Sequence, residues 1–179
     1  MTPLRVVALV GSLRATSSTA ALARAVARAA PGQVAVDLTV DLGALPHFSP
    51  DLDMAPLPPA VAALRAAIGD ADALLVTSPE YAHGMPGTLK NALDWLVSAT
   101  EPIGKPALLV CGSPGGAAHA HAQLAEVLRT MGLPVIDGGA HVFSRARLDA
   151  AGEVADPALL AHLAAAVAAV VAAVRAAAT

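Results

Sequence analysis

Three stretches of this sequence hold residues whose type and spacing suit chemistry. The first is Gly11-Ser12-Leu13-Arg14-Ala15-Thr16-Ser17-Ser18-Thr19, which runs from an apolar segment into an alanine-rich one. Hydroxyls, one guanidinium and the free N–H groups of a helix start converge there. A helix N-terminus supplies donors and partial positive charge, and arginine adds a forked cation, so the stretch reads as a phosphate cradle. It lacks the further glycines of a dinucleotide turn and the glycine-lysine pair of a P-loop. A terminal phosphate monoester fits better than a pyrophosphate pressed on bare backbone. Helix capping would explain Ser17 or Ser18 but not Ser12 and Arg14. The candidate binding residues are Ser12, Arg14, Ser17, Ser18 and Thr19.

The second stretch, Ser78-Pro79-Glu80-Tyr81-Ala82-His83-Gly84-Met85-Pro86-Gly87, precedes Thr88-Leu89-Lys90-Asn91-Ala92-Leu93-Asp94-Trp95. Its prolines and glycines stiffen a loop whose backbone groups could read the edge of a flat heterocycle. Spacing alone leaves this reading level with a long structural turn that has Pro86 near the first helical turn. The third stretch, Gly112-Ser113-Pro114-Gly115-Gly116, could bring backbone amides close to a ring. By itself it reads as a tight strand-to-helix turn, and only the company of the other two loops tips it toward a ring.

Other reactive residues are set aside. Cys111 is the only cysteine, at the end of an apolar run, and no basic neighbour would make it a thiolate. It excludes an intrachain disulfide and a cysteine-based zinc site. His119 and His121, two apart on a helix, point apart and make no metal pair. His83 could face a substrate, but an exposed loop position accounts for it. Asp37 stands where a dinucleotide enzyme keeps its ribose-binding acid, without the glycine fingerprint to go with it. No nucleophile–base–acid trio is present, so no catalytic side chain and no metal ligand are assigned.

The elements that must position these loops alternate. Apolar runs at 5–10, 34–38, 73–77, 107–111 and 134–136 are separated by helical stretches at 17–31, 58–69, 86–98, 117–132 and 157–178. Continuous apolar strands between helices predict a parallel sheet covered on both faces. Right-handed crossovers make it a doubly wound α/β sheet, with ligands beyond the carboxyl ends of the strands. All three chemical stretches fall there. The proline-rich stretch 46–59 reads as a long loop within one domain spanning 1–179.

Composition narrows the function further. The chain of 179 residues is 56% hydrophobic but only 2% aromatic, so Ala, Val and Leu must build its core. A net charge of −3 and scattered basic residues give no field for nucleic acid. The N-terminus enters a strand pattern at once, with no leader-like segment, and the expectation is a cytoplasmic protein. Residues 157–178 could pass for a membrane span. They are mostly alanine, however, and Leu159, Leu163, Val167, Val170, Val171 and Val174 recur at helical spacing, which predicts a packed helix and no membrane contact.

Gly-Ser-x-Arg after the first strand and Ser-Pro-Glu-Tyr…Pro-Gly-x-Leu-Lys-Asn-Ala-Leu-Asp-Trp after the third resemble the NADPH-dependent FMN reductase family, which includes quinone, chromate and azo-dye reductases. The Gly-Ser-Pro-Gly-Gly loop extends the resemblance over nearly the whole chain. It implies a flavodoxin-like three-layer sandwich, a five-stranded parallel sheet of order 2-1-3-4-5, bound FMN, and NADPH or NADH as donor. It places the FMN phosphate on Ser12, Arg14, Ser17, Ser18 and Thr19. The isoalloxazine edge falls on Pro79, Glu80 and Tyr81, largely through backbone; Ala82, His83 and Gly84 of the same loop and Ser113, Gly115 and Gly116 of the third complete the candidate binding residues. Two positions depart from the pattern: Ala82, where many members carry Asn, and Met85, where an aromatic can stand.

The implied activity is ping-pong hydride transfer through flavin N5 to a small acceptor: a quinone, an azo compound, chromate or free flavin. The alternatives are a flavodoxin-type electron carrier, which a charge of only −3 disfavours, and a nucleotide-binding domain without redox activity. A homodimer or homotetramer is also expected. Leu89, Leu93, Leu96 and Val97 form one helix face, leaving Trp95 off that stripe for a partner to cover.

Overall fold

Five runs rich in Val, Leu and Ala form parallel strands: β1 (Leu4–Val10), β2 (Val34–Asp37), β3 (Ala73–Ser78), β4 (Ala107–Ser113) and β5 (Val135–Val142). The computed structural model describes residues 3–14 and 16–177. Ala15 of the first loop and Ala178 at the expected end of the last helix therefore lie outside the described residues. The strand order is β2-β1-β3-β4-β5, every neighbouring pair parallel, as the resemblance implies. Between the strands lie α1 (Ser18–Ala29), α2 (Pro59–Gly69), α3 (Gly87–Asp94) and α4 (Ala118–Thr130), with α5 (Pro157–Ala177) after the last strand.

Alternating strand side chains divide the core into two layers. Val7, Leu9, Leu74, Val76, Leu109 and Cys111 face one way, against α2, α3 and α4. Val6, Ala8, Leu75, Leu108 and Val110 face the other, against α1 and α5. Small side chains let the helices settle closely, as the scarcity of aromatics requires. Helix α5 is long and apolar enough to cross a membrane. Leu159, Leu163, Val167, Val170 and Val171 nevertheless form a buried stripe along it, in the same layer as α1.

Two expectations need correction. The fifth strand runs to Val142, six residues beyond the apolar run at 134–136. Gly138 and Gly139 interrupt that run because the register shifts between Leu109 and Cys111. A Cβ at Gly138 would lie 2.6 Å from Val110 and 2.9 Å from the Leu109 carbonyl oxygen, and Gly139 has φ +91°. Only glycine fits the strand there.

The second correction concerns Trp95, which is fully buried and is not an aromatic awaiting a partner. Trp95 caps α3 with helical backbone, its N–H still bonded to the Asn91 carbonyl, so it shares the helix face of Asn91 that the 46–59 stretch covers. The indole turns inward, donates from Nε1 to the Pro46 carbonyl at 2.8 Å and meets Phe48 edge-on at 5.1 Å. After Trp95 the backbone bonds tighten, Leu96 to Leu93 and Val97 to Asp94, and Val97, expected on the buried stripe, is 67% exposed.

The proline-rich stretch 46–59 is tied down as a belt. Asn91 accepts from the Phe48 N–H and donates to the Pro46 carbonyl. Arg65 on α2 donates to Asp53, to the Trp95 carbonyl and to Ser98, and Ser98 donates to Asp53. Lys105 closes the other end of α2 by donating to the carbonyls of Ile68, Gly69 and Ala71, partners that suit a cation at a helix C-terminus.

Candidate functional site

The first loop leaves β1 at Gly11, whose N–H donates to the Thr77 carbonyl of β3 at 2.7 Å. That bond directs the loop over the sheet's carboxyl edge. A Cβ at Gly11 would meet Leu89 at 3.0 Å and the Thr77 carbonyl at 3.1 Å, so the turn is close. Ser17 caps α1, its hydroxyl accepting from the Ala20 N–H at 3.2 Å. Capping thus uses one hydroxyl, and Ser12, Thr16 and Ser18 remain around the helix start.

A cleft of about 360 Å³ opens at this edge, lined from the first loop by Ser12, Arg14, Thr16, Ser17, Ser18 and Thr19. Pro79 and Tyr81 of the second loop and Ser113 of the third also line it, so eight of the expected binding residues meet here. No carboxylate lines the cleft, and among the described residues Arg14 forms no ion pair. A second hollow, lined by Ser12, Leu13, Arg14, Tyr81, Pro86 and Thr88, adjoins it through Ser12, Arg14 and Tyr81.

Six expected residues do not line the cleft. Glu80 turns its carboxylate to the start of α4, where it accepts from the Ala120 N–H at 2.9 Å. That is a favourable place for a negative charge. Its backbone carbonyl lies 3.5 Å from the Ser113 hydroxyl. Ala82 and His83 have φ values of 49° and 60° and form the tip of a two-residue turn. Tyr81 and Gly84 close that turn by exchanging both backbone hydrogen bonds at 3.0 Å. Two left-handed residues in a row define the type I′ turn, which favours Asn-Gly. The family's Asn at position 82 therefore has a backbone reason, since Asn tolerates this region better than Ala. Gly115 and Gly116 lie beyond the cleft, and a Cβ on Gly115 would meet open space.

The residues set aside have structural surroundings. His83 stacks on His119 at 4.2 Å, while His121 reaches Asp137 at 3.0 Å, so the two α4 histidines do diverge. Asp37 accepts from the Thr39 hydroxyl and N–H, which hold its carboxyl below the usual range. Burial, with the charges of Glu80 and Asp137 adding to it, pushes the Cys111 thiol up to about 12.

The sequence reading omitted Thr16, Gly112, Pro114, Ser144, Arg145 and Ala146, all of which line the cleft. Ending β5 at residue 136 hid the last three, because Ser144 and Arg145 then fell in no loop at the sheet's edge. The pair Gly138-Gly139 was the available sign of a bulged strand that continues. Gly112 has a packing reason, since a Cβ there would lie 2.6 Å from Leu22 and 3.2 Å from Phe143.

FMN fits this donor set. Its phosphate monoester needs cations, hydroxyls and helix N–H groups without competing carboxylates, which is what the cleft presents. Comparison with known proteins agrees. The chain is 42% identical over 126 residues to a 2-hydroxy-1,4-benzoquinone reductase of Burkholderia sp, covering 67% of this chain and 66% of that protein. It is 34% identical over 170 residues to a quinone reductase of Escherichia coli (strain K12), covering 89% of each. Among solved structures it matches FerB, a flavoenzyme NAD(P)H:(acceptor) oxidoreductase from Paracoccus denitrificans. That match has a TM-score of 0.80 and 30% identity over 98% of both chains. Residues 4–147 match the NADPH-dependent FMN reductase family. With this match added to the flavodoxin-like sheet and the carboxylate-free cleft, the chain belongs to that family and is an NAD(P)H-dependent oxidoreductase that uses FMN.

Proposed function

We propose that the chain works as one domain that passes two electrons from NADPH or NADH to a small acceptor. Quinones are the first acceptor class to try, because two of its relatives are named for them. The observation that carries the reading is the cleft in which Arg14 and the hydroxyls of Ser12, Ser17, Ser18 and Thr19 meet Pro79, Tyr81 and Ser113 with no carboxylate among them. FMN, when bound, supplies the chemistry of accepting and returning a hydride. The chain's residues hold the phosphate on the first loop and orient the ring system with backbone of the second and third, Glu80, Ala82, His83, Gly84, Gly115 and Gly116 included. None of them is assigned a proton transfer.

Donor and acceptor are both flat and approach through one opening, so they take turns. Initial rates then give parallel double-reciprocal lines, and intersecting lines would show separate donor and acceptor pockets. A homo-oligomer remains part of the reading, on a different surface from the one the sequence suggested. Leu52 and Met54 on the belt and Val97 after α3 are exposed apolar side chains next to Asp53 and Ser98, which are joined by a hydrogen bond, and this is the surface to test. Light scattering at micromolar concentration tests it. A cytoplasmic location completes the reading.

The phosphate assignment is tested by Arg14→Ala. Losing a charge-assisted contact to a dianion should weaken FMN by about tenfold to hundredfold, while riboflavin, without the phosphate, binds both proteins alike. Equal losses for the two flavins would remove the cradle. An electron carrier would instead oxidise NADPH only in the presence of a partner protein, so turnover by the purified chain with a quinone separates the two.

A further inference from the structure

The loop after β5 places a second guanidinium at the cleft. Arg145 lines it together with Ser144 and Ala146, in the same hollow as the first loop and the start of α1. Arg145 is exposed, and among the described residues it forms no ion pair and its side chain has no hydrogen-bond acceptor. Its neighbour is different. Arg147 donates to the Val142 carbonyl at 2.8 Å and to Asp156 at 2.9 Å. Asp156 in turn accepts from the N–H groups of Ala158 and Leu159 at the start of α5.

The loop is also fixed from behind. Phe143 is fully buried, and its N–H donates to the Ser113 carbonyl at 2.9 Å. Backbone bonds from Arg147 to Ser144 and from Leu148 to Arg145 close a 3-10 turn over Arg145–Arg147. One arginine is thus spent on holding the loop, while the other is held out over the cleft with its charge unanswered.

We propose that Arg145 is the second cation of the FMN phosphate site, facing Arg14 across the cleft, and that Arg147 is the residue that positions it. The proposal rests on the reading of the cleft as the FMN site. The chemistry is that of a dianion between two guanidiniums, each able to offer paired N–H donors. Ser17, Ser18, Thr19 and Ser144 line the same cleft and bring hydroxyls to it. Without an anion the two like charges share one hollow with no carboxylate to relieve them, so binding relieves repulsion as well as forming contacts.

The test titrates the flavin-free full chain with FMN and with riboflavin, following flavin fluorescence, for wild type, Arg145→Ala, Arg145→Lys and Arg14→Ala. Arg145→Ala is expected to raise the FMN dissociation constant by about tenfold to hundredfold, with riboflavin within about twofold of wild type. Arg145→Lys should recover part of the loss, because the charge survives without the fork. Arg147→Ala should show the same selective FMN loss in weaker form. The riboflavin arm guards against misfolding, since a disordered loop would weaken both flavins. If Arg145→Ala binds FMN normally while Arg14→Ala does not, the proposal falls and the cradle stands. A raised KM for NADPH but not NADH in that variant would then place Arg145 on the donor's phosphate instead. If neither arginine matters for FMN, the reading of the cleft fails as a whole.

Discussion

Arg65 and the pair Arg14 and Arg145 occupy opposite surroundings in one small molecule. The Arg65 side chain is 13% exposed, and Asp53, Ser98 and the Trp95 carbonyl all accept from it, holding the belt against α2 and the end of α3. The cleft arginines are exposed, and among the described residues neither side chain has an acceptor. A guanidinium whose hydrogen bonds are used inside the chain is a strut, and one whose hydrogen bonds are unused beside a row of hydroxyls is available to a ligand. The sequence marks Arg14 by its hydroxyl-rich loop, but only the structure separates Arg145 from Arg65, because neither of those two sits in a telling local pattern.

The sharpest way to break this comparison is to remove each charge and measure stability without flavin. Arg65→Ala should cost about 2–3 kcal/mol, because it strands a half-buried carboxylate and a carbonyl. Arg14→Ala should change stability by less than about 0.5 kcal/mol, as for an exposed side chain without partners. Urea unfolding of the two variants checks both values, and equal losses would erase the distinction. Acid provides a second check. Ser98 first, and Arg65 after it, hold the Asp53 carboxyl below the usual range. Stability from that carboxylate is present above the unfolded aspartate value and is lost as pH falls through the lower folded one. The gap between wild type and Arg65→Ala should therefore narrow below about pH 4.

A smaller effect belongs to the turn at Ala82 and His83. A non-glycine residue in the left-handed region costs about 1–2 kcal/mol, and Asn bears that cost better than Ala. Ala82→Asn should therefore stabilise the chain by about 0.5–1 kcal/mol, raising Tm by about 1–4 °C. A gain in stability together with altered riboflavin affinity would show that position 82 also meets the ring. No gain would show that the turn relaxes when free.

Much of this was legible in the sequence, and the misses have physical causes. Periodicity gave the strand runs because β1, β3 and β4 are buried on both faces and read as unbroken apolar runs, while the edge strand β2 keeps Val34 and Val36 packed on the core. It failed at β5, where a bulge needs Gly138 and Gly139 and so breaks the run. The loop carrying Arg145 disappeared with it. The first-loop residues were legible because hydroxyls, arginine and a helix start meet within nine positions. Trp95 was misplaced because its face of α3, shared with Asn91, reads as open when only the sheet is expected to cover the helix. The belt that covers it lies some fifty residues away, and no local pattern announces Pro46 as the partner of its indole.

The smallest expected effect concerns Cys111, at the end of β4 just behind the third loop. It is fully buried, and desolvation, with Glu80 and Asp137 adding negative charge nearby, pushes its thiol up to about 12. The thiolate is the reactive form, so iodoacetamide at pH 8 should modify the native chain at least about a hundredfold more slowly than the urea-unfolded chain. Linkage gives the sign at higher pH. A thiol whose folded value is raised contributes stability in full below its unfolded value of about 8.5, and that contribution drains away as pH climbs toward about 12. Cys111→Ala should therefore be less stable than wild type near neutrality, because it leaves a small cavity, yet lose less stability between about pH 9 and 11. Every other group is common to the two proteins and cancels in the comparison. Parallel alkaline slopes would mean that the end of β4 admits water. The backing of the third loop, on which Ser113 depends for its place in the cleft, would then be looser than its buried packing implies.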